Sequence, residues 1–491
     1  MEEELNLENF FKNSPRDLTD EERAGISKAF EFAKKAHGNQ KRLSGEPYFN
    51  HAYKTALQLL IWGLDFETIE AGFLHDVVED TITTTEDLEK EFNKHVGFLV
   101  EGVTKLGKIK YRGREQESQT ENLRKMFIAM AQDIRVVIIK LADRLHNMQT
   151  LNFLPKEKQK RIATETLEIY APLSYRLGMG ELRGILEDLC FPYVYPDQYR
   201  KLVSETGDQF KIIKGYLEKI KPYLISEIKK EGLTPFSVHA RTKHLYSLWR
   251  KLQRPEYDGN IKKIYDLAAM RVVMNTVEEC YTVLGVIHRI WKPLPGRIKD
   301  YIAIPKPNGY QSIHTTVFTT EGRIVEIQIR TVKMHEEAEN GIAAHWAYSE
   351  QGKPESGVIV KQGKYAWVSQ LKDWQGKIAG GGDEFIQSLK IDFFKDRIFV
   401  FTPKGEVINL PEGATPIDFA YSVHTDIGNH CTGVKINEKM KSLDTPLKNW
   451  DVVEIITMKN RKPSKDWLDI AKTAGARSKI RVALGIAKKE H

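Results

Sequence analysis

The sequence lacks any run near the ~18 uncharged apolar residues that a membrane-spanning helix needs, which excludes a protein anchored by such a helix. Its first residues, MEEELNLENF, are acidic and have no apolar core, so they do not read as a secretory signal. Cysteine is scarce: Cys190, Cys280 and Cys431 are three in number and far apart. An odd, dispersed set excludes a disulfide framework and suits reduced thiols in a cytoplasmic protein. No internal repeat of fixed period is visible.

What the chain does have is length and balance. At about 150 residues per domain, 491 residues suggest roughly three domains. With 41% hydrophobic and 29% charged residues, the composition is that of a globular protein. The net charge of +7 sits at one end: from Lys459 to His491, ten Lys/Arg stand against three Asp/Glu. That basic tail includes Arg461, Lys462, Arg477, Lys479, Arg481, Lys488 and Lys489. It suits RNA phosphates, or it is a solvated, frayed chain end.

Residues 20 to about 200 read as helical. Asp20 can cap a helix from Glu21, with Ala29, Phe32, Ala33 and Ala36 on one side. Ile134 to Leu141 is an apolar helix or a short strand, and its surroundings favour helix. A helical connector rich in Lys and Glu follows, over about 200 to 232. Strand signals then begin: Ala268 to Met274, Ser312 to Thr319 and Arg323 to Arg330. Residues 352 to 385 read as a linker with one helix, Trp367 to Trp374. Beyond it, Ile398 to Phe401 and Val452 to Thr457 read as strands and Ile417 to Val423 as a short helix.

The first chemical constellation is His51, the adjacent pair His75-Asp76, and Asp143. A His-Asp pair inside an apolar helix is costly to bury without partners. Two imidazoles and two carboxylates form a mixed nitrogen and oxygen set, better suited to Mn²⁺ or Fe than to structural zinc. Such an ion lowers the pKa of bound water. Glu79 and Asp80 lie one helical turn beyond the pair, placed to handle protons. Asn147 is four residues after Asp143, and Arg42 can meet a phosphate near His51. The bland alternative is a set of capping and surface residues.

The spacing H…HD…D in a helical domain resembles the HD phosphohydrolase superfamily. The words RLSGEPYFNH, FLHDVVEDT and KLADRLHNM resemble the hydrolase domain of RelA/SpoT homologues. The resemblance implies removal of the 3′-pyrophosphate of (p)ppGpp. It implies Mn²⁺ held by His51, His75, Asp76 and Asp143, with Glu79 and Asp80 activating water and Arg42, Ser44 and Asn147 contacting substrate. Leu43 departs from the pattern, which usually has a second basic residue there.

A second constellation lies in residues 236 to 346. Along Val325 to Arg330 the side chains alternate, so Val325, Ile327 and Ile329 face a core while Glu326, Gln328 and Arg330 face away. Asp266 precedes the neighbouring strand, and two acidic groups on sheet elements can share Mg²⁺. Arg241, Lys243, Lys251 and Arg271 offer charge for a triphosphate. In GRIKDYIAIPKPNGYQSIH, Arg297 and Lys299 precede a Pro-Asn-Gly turn and Tyr310, a basic loop ending in a ring that can stack on a base. These residues alone leave nucleotide transfer and a basic RNA-binding face both open.

RTKHLYSLWRK, IYDLAAMRVV, the loop above and VEIQIRT resemble the synthetase domain of the same family, with a nucleotidyltransferase-like fold. That domain moves pyrophosphate from ATP to the 3′-OH of GDP or GTP. By motif, Asp266 and Glu326 hold Mg²⁺, and Glu326 is also a candidate base. Arg241 and Arg271 sandwich adenine, and Lys243 and Lys251 bind phosphates. Tyr310 stacks on guanine near Asn308, Gln311, His314 and Gln328. Arg297-Ile298-Lys299-Asp300 matches the basic form that marks bifunctional members. His335, His345 and Trp346 also fit the pattern, the last two as helix packing or support.

FVFTPKGEVINLPEGATPIDFAYSVHTDIGNHCTGVKIN resembles a TGS domain, a small β-grasp module. In long family members it senses the 3′ end of uncharged tRNA, and by motif His424 is the contact residue. A histidine beside Asp426 is otherwise an ordinary structural residue.

The expected architecture is multidomain, α and α+β: an all-helical HD-type hydrolase domain (1–200), a connector (201–235) and an α/β synthetase domain (236–350). A linker (351–392), a TGS domain (393–458) and a basic tail opening a helical segment (459–491) complete it. Long members continue further, so the chain reads as one cut short after its TGS domain. The expected function is bifunctional (p)ppGpp synthesis and hydrolysis in the stringent response. The alternatives are a hydrolase with a regulatory nucleotide-binding domain, or a tRNA and ribosome sensor with inactive sites.

Overall fold

The computed structural model describes residues 5–107, 115–255, 257–264, 267–306, 308–344 and 397–486. The linker, its helix Trp367 to Trp374, and also Asp266, His345 and Trp346 lie outside the described residues. The chain forms two compact units, residues 1–110 with 129–372 and residues 111–128 with 373–491.

The N-terminal half of the first unit is helical. Helix α1 spans Asp20–His37, and its cap is Thr19 rather than Asp20. Thr19 and Glu22 form a reciprocal capping box, satisfying two otherwise orphaned backbone donors. The buried stripe is Ile26, Ala29, Phe30, Ala33 and His37, so Phe30 rather than Phe32 is the aromatic that turns inward. Phe30 packs on Phe49, Tyr53 and Phe73 with ring centroids 4.9, 6.2 and 5.8 Å away. Helices α2 (Phe49–Ile61), α3 (Phe66–Leu74), α4 (Val77–Asp80) and α5 (Ile134–Gln149) complete the site-bearing set. Ile134 to Leu141 is thus helix, with Asp133 as its cap.

One buried carboxyl in this half makes a measurable prediction. Burial pushes the Glu70 carboxyl up to about 7, with Glu67 adding to it. Unfolded, it titrates near its ordinary value of about 4.3. The folded chain therefore holds the extra proton between those values, and losing it as pH rises through 7 costs stability. Glu70→Gln is expected to raise stability at pH 8 by about 3 kcal/mol, the gap closing below pH 5. Thermal melts of both proteins at the two pH values check this.

Helix α6 (Gly180–Val194) joins the helical half to the rest of the unit. After it, α7 (Pro196–Lys230) starts on a proline, whose missing N–H costs nothing at a helix start. Its stripe of Leu217, Ile220, Leu224 and Ile228 packs beneath a sheet, against Val238, Met270, Val272, Ile327 and Ile329. Each such side chain, fully buried, contributes about 1.5–3 kcal/mol.

The sheet contains β1 (Ser237–Thr242), β2 (Ala268–Met274), β3 (Lys292–Pro293), β4 (Lys299–Asp300), β5 (Ile313–Phe318) and β6 (Ile324–Thr331). Its order is β1-β2-β6-β5-β3, with β4 paired to β5. Only β2 and β6 run parallel among the pairs described. Helices α8 (Leu245–Leu252), α9 (Val277–Ile290) and α10 (Val332–Asn340) accompany it.

Two glycines let α6 and its neighbours approach. A Cβ on Gly184 would overlap the His244 ring, 2.2 Å from Cδ2. Gly341, at φ +59°, ends α10, and a Cβ there would lie 2.3 Å from the Leu177 carbonyl oxygen. Both contacts need a residue without a side chain.

The second unit contains a hairpin of β7 (Arg397–Phe401) and β8 (Val407–Pro411) and a sheet ordered β10-β9-β11. These last are β9 (Cys431–Ile436), β10 (Lys439–Lys441) and β11 (Val453–Thr457). Helix α11 (Pro416–Val423) lies between the hairpin and β9 in the chain. The basic tail is not frayed as far as Ile486. Trp467, Ala471, Ala476 and Ile480 pack on Ile417, Tyr421 and Cys431. Buried Asp418 accepts hydrogen bonds from the backbone N–H groups of Lys472 and Thr473 at 3.0 and 2.8 Å. Helix α12 (Ala474–Ala483) follows. No helix of the described residues is long and apolar enough to cross a membrane.

Two candidate active sites

The His75-Asp76 pair is not inside a helix. His75 ends α3 and Asp76 begins α4, so the pair occupies the break between them. The break turns both side chains toward α2 and α5. Donor atoms of His51, His75 and Asp76 all lie within 4.8 Å of one another. His51 Nε2 is 3.2 Å from His75 Nε2 and 3.5 Å from Asp76 Oδ2. Asp143 Oδ1 completes the group, 3.1 Å from His51 Nε2 and 3.8 Å from His75 Nε2.

The electrostatics of this cluster favour a positive charge. Burial works against protonation of His75, but Asp76 and Asp143 outweigh it and raise its pKa to about 9. Asp76 and Asp143 are held well below the carboxylate range, against burial, Asp76 by His75 and His51 and Asp143 by Lys140 and the two histidines. Two imidazole nitrogens and two ionised carboxylate oxygens converging on one point fit a divalent cation.

The surroundings orient these donors. Tyr48 donates its hydroxyl to Asp76 Oδ2 at 2.9 Å, and burial with the Asp76 charge pushes that hydroxyl far above its usual range. Lys140 Nζ is 2.6 Å from the other oxygen of Asp143. His75 Nδ1 faces the Gly72 carbonyl at 2.8 Å, which leaves Nε2 for the cluster. Motif reading missed Tyr48 and Lys140; the signal available for Lys140 was its offset of three from Asp143 on one helix.

Arg42 reaches the cluster from a hairpin closed by Arg42 N–H to the Glu46 carbonyl at 2.9 Å. Its guanidinium bonds to Asn147 Oδ1, and Asn147 Nδ2 bonds to Asp143 Oδ1. Ser44 instead bonds locally, to Glu46 Oε2 at 3.4 Å. Leu43 is 71% exposed, so no packing explains its presence. Glu79 and Asp80 are exposed one turn beyond Asp76.

The second candidate site lies on the polar face of the six-stranded sheet. Strand register aligns His239, Arg271, Gln328, His314 and Lys299 in one row across β1, β2, β6, β5 and β4. The next row is Arg241, Ala269, Glu326 and Thr316. Side chains in register share a face, so residues scattered over ninety positions become neighbours. Glu326 Oε1 accepts from Gln328 Nε2 at 2.9 Å and is 3.2 Å from His314 Nδ1. His314 Nε2 faces the Tyr310 hydroxyl at 2.8 Å. Burial holds the His314 pKa down despite Glu326, so the ring is neutral, donating from Nδ1 and accepting at Nε2.

Asn308 shapes the preceding turn, its Oδ1 accepting the Tyr310 N–H at 3.2 Å. Gln311 Nε2 donates to the Ile302 carbonyl at 3.2 Å. Lys243 bonds to the Leu267 carbonyl through its backbone N–H at 2.9 Å, and Lys251 Nζ lies 5.2 Å over the Tyr257 ring. Arg297 and Lys299 are exposed.

Arg330 departs from a solvent-facing reading. It is fully buried, because α10 covers that end of the strand. Glu339 on α10 takes both Arg330 Nη2 at 2.7 Å and Arg271 Nη1 at 3.0 Å. His335 caps the pair from the same helix, its pKa held down to about 4 by burial and Arg330. Arg241 is engaged by Glu181 of α6 at 2.7 Å. His424, in the second unit, is exposed and accepts the Asp426 N–H at 3.2 Å, capping a short helix.

Family profiles match the chain as an HD domain over residues 29–180, as the region found in RelA / SpoT proteins over 240–353 and as a TGS domain over 398–457. The chain is 46% identical over 471 residues to the guanosine-3′,5′-bis(diphosphate) 3′-pyrophosphohydrolase of Aquifex aeolicus, covering 95% of this chain and 65% of that protein. The chain belongs to the RelA/SpoT family. The RelA/SpoT relative from Escherichia coli K12, the bifunctional (p)ppGpp synthase/hydrolase SpoT, is 46% identical over 95% of this chain and 65% of its own. The GTP pyrophosphokinase of Myxococcus xanthus is 47% identical over 93% and 60%. The chain thus spans slightly less than two thirds of these relatives' length. The HD-type domain of this RelA/SpoT chain implies dependence on a divalent metal.

Proposed function

We propose that this chain both makes and destroys (p)ppGpp, at two separate sites in one polypeptide. The observation that carries the reading is the coexistence of a four-donor histidine and carboxylate cluster with a polar, arginine-bearing sheet face around Glu326. In the first site His51, His75, Asp76 and Asp143 would hold Mn²⁺, which when bound supplies hydroxide near neutral pH. Arg42 and Asn147 grip a phosphate of the substrate, with Ser44 beside them. Glu79 and Asp80 move the water's proton. Hydrolysis breaks the bond between the 3′-oxygen and its pyrophosphate, giving GDP or GTP.

In the second site Asp266 and Glu326 would hold Mg²⁺, which when bound neutralises triphosphate charge. Arg241 and Arg271 flank the adenine of ATP, and Lys243 and Lys251 meet its phosphates. Tyr310 stacks on guanine, with Asn308, Gln311, His314, Gln328, Arg297 and Lys299 around the second nucleotide. Glu326 takes the 3′-hydroxyl proton; the 3′-oxygen attacks the β-phosphorus of ATP and AMP departs. In the second unit, exposed His424 and the basic tail suit contact with uncharged tRNA and the ribosome.

Nucleotide chromatography of two reactions tests the reading. ATP, GDP and Mg²⁺ should yield AMP and ppGpp; ppGpp and Mn²⁺ should yield GDP and pyrophosphate. A chain that does neither, over a screen of divalent ions, leaves the sensor reading in its place.

One observation bears on the affinity of the second site for ATP. Both proposed adenine arginines already hold carboxylates of the chain, Glu181 and Glu339. In this reading ATP competes with Glu181 for Arg241. The pair is about one-third exposed, with side-chain accessibilities of 31% and 32%. Such pairs contribute about 0.2–1 kcal/mol. Glu181→Gln is therefore expected to lower the KM for ATP by about 1.5- to 5-fold with kcat unchanged, as measured by AMP release.

A further inference from the structure

The two ring nitrogens of His51 are used in opposite directions. Nε2 faces the cluster, 3.1 Å from Asp143 Oδ1 and 3.2 Å from His75 Nε2. Nδ1 faces away, 2.8 Å from Nδ1 of His146. An imidazole that gives one nitrogen to a metal carries its proton on the other, and that proton needs an acceptor. His146 Nδ1 stands where that acceptor must be.

A second donor converges on the same atom, Nη1 of Arg42 at 3.1 Å. A guanidinium has no acceptor, so His146 Nδ1 takes the accepting role and its ring proton belongs on Nε2. From Arg42 the path continues to Asn147 Oδ1, and Asn147 Nδ2 returns to Asp143 Oδ1. The five side chains close a ring: His51, His146, Arg42, Asn147, Asp143. Three of them share one face of α5, at offsets of three and four residues.

We infer that His146 is a positioning residue for the metal site. It accepts the Nδ1 proton of His51, fixing the tautomer whose Nε2 is bare toward a divalent cation, and it anchors Arg42 at the rim of the same site. Without that acceptor, His51 can place its proton on Nε2, where Asp143 receives it and competes with the cation. The inference rests on the metal-dependent hydrolase reading above.

The test is calorimetric titration of the full chain with Mn²⁺ alone, with His146→Phe, His146→Gln and His146→Asn beside the parent. Phe keeps ring volume and removes the acceptor. Asn returns an acceptor oxygen near the place of Nδ1, and Gln moves it toward the place of Nε2. The Phe and Gln variants are expected to bind Mn²⁺ about 10- to 100-fold more weakly, and Asn to recover most of that loss. The Asn and Gln contrast decides the matter even if the Phe variant does not fold. Equal affinity across parent and variants overturns the inference, as does an equal loss in Asn and Gln. A parent that binds no Mn²⁺ instead removes the metal reading on which it stands.

Discussion

Asp76→Ala is expected to abolish (p)ppGpp hydrolysis, by on the order of 10³-fold or more, while leaving synthesis near its parent rate. Asp76 Oδ2 touches three groups at once: His51 Nε2 at 3.5 Å, His75 Nε2 at 3.2 Å and the Tyr48 hydroxyl at 2.9 Å. Its loss removes one of two anionic donors from the cluster. The remaining Asp143 is already engaged by Lys140 at 2.6 Å, so it cannot restore the field. The Tyr48 hydroxyl loses its Asp76 acceptor and keeps Asp80 as a partner. That loss is bearable for a folded unit. Rates of pyrophosphate release from ppGpp and of AMP release from ATP, on one preparation, check the prediction. Loss of both activities in a protein that still melts cooperatively sinks the assignment of separate sites.

Glu326→Gln is expected to do the reverse, lowering synthesis by about 10²- to 10⁴-fold and sparing hydrolysis. The substitution keeps size and an acceptor oxygen toward Gln328 and His314. What it removes is the capacity to take a proton and the negative charge for a cation. A line of hydrogen bonds runs Tyr310, His314, Glu326, with neutral His314 passing orientation from the loop to the strand. Because this line survives in Gln, guanine-nucleotide KM should change far less than kcat. A rise in KM alone, at unchanged kcat, would falsify the proposed base.

Much of the geometry of both candidate sites was legible in the residue order because motif and periodicity are local properties. Alternation along Val325 to Arg330 placed Ile327 and Ile329 in the core, and both are fully buried. The strand Ala268–Met274 lies where its apolar run stood. Asn147 meets Asp143 because four residues make one helical turn. The cap of the helix Asp20–His37 was misplaced by one residue, since Thr19 can form a reciprocal box with Glu22. Phe30 displaced Phe32 from the core because the aromatics of α2 and α3 lie on its side.

What sequence alone could not carry were relations between distant segments. Nothing near Arg330 in the chain shows that α10 will cover it, or that Glu339 will hold it together with Arg271. Nothing near Arg241 announces Glu181. His146 sits in a recognisable motif, yet its partner His51 is 95 positions away. The residue order by itself determined which side chains are available, which faces they take on each helix and strand, and the family to which the chain belongs. Tertiary structure alone decided which charges from distant segments meet. Hydrogen bonds and ion pairs act over about 3 Å, and only folding brings groups a hundred residues apart within that range.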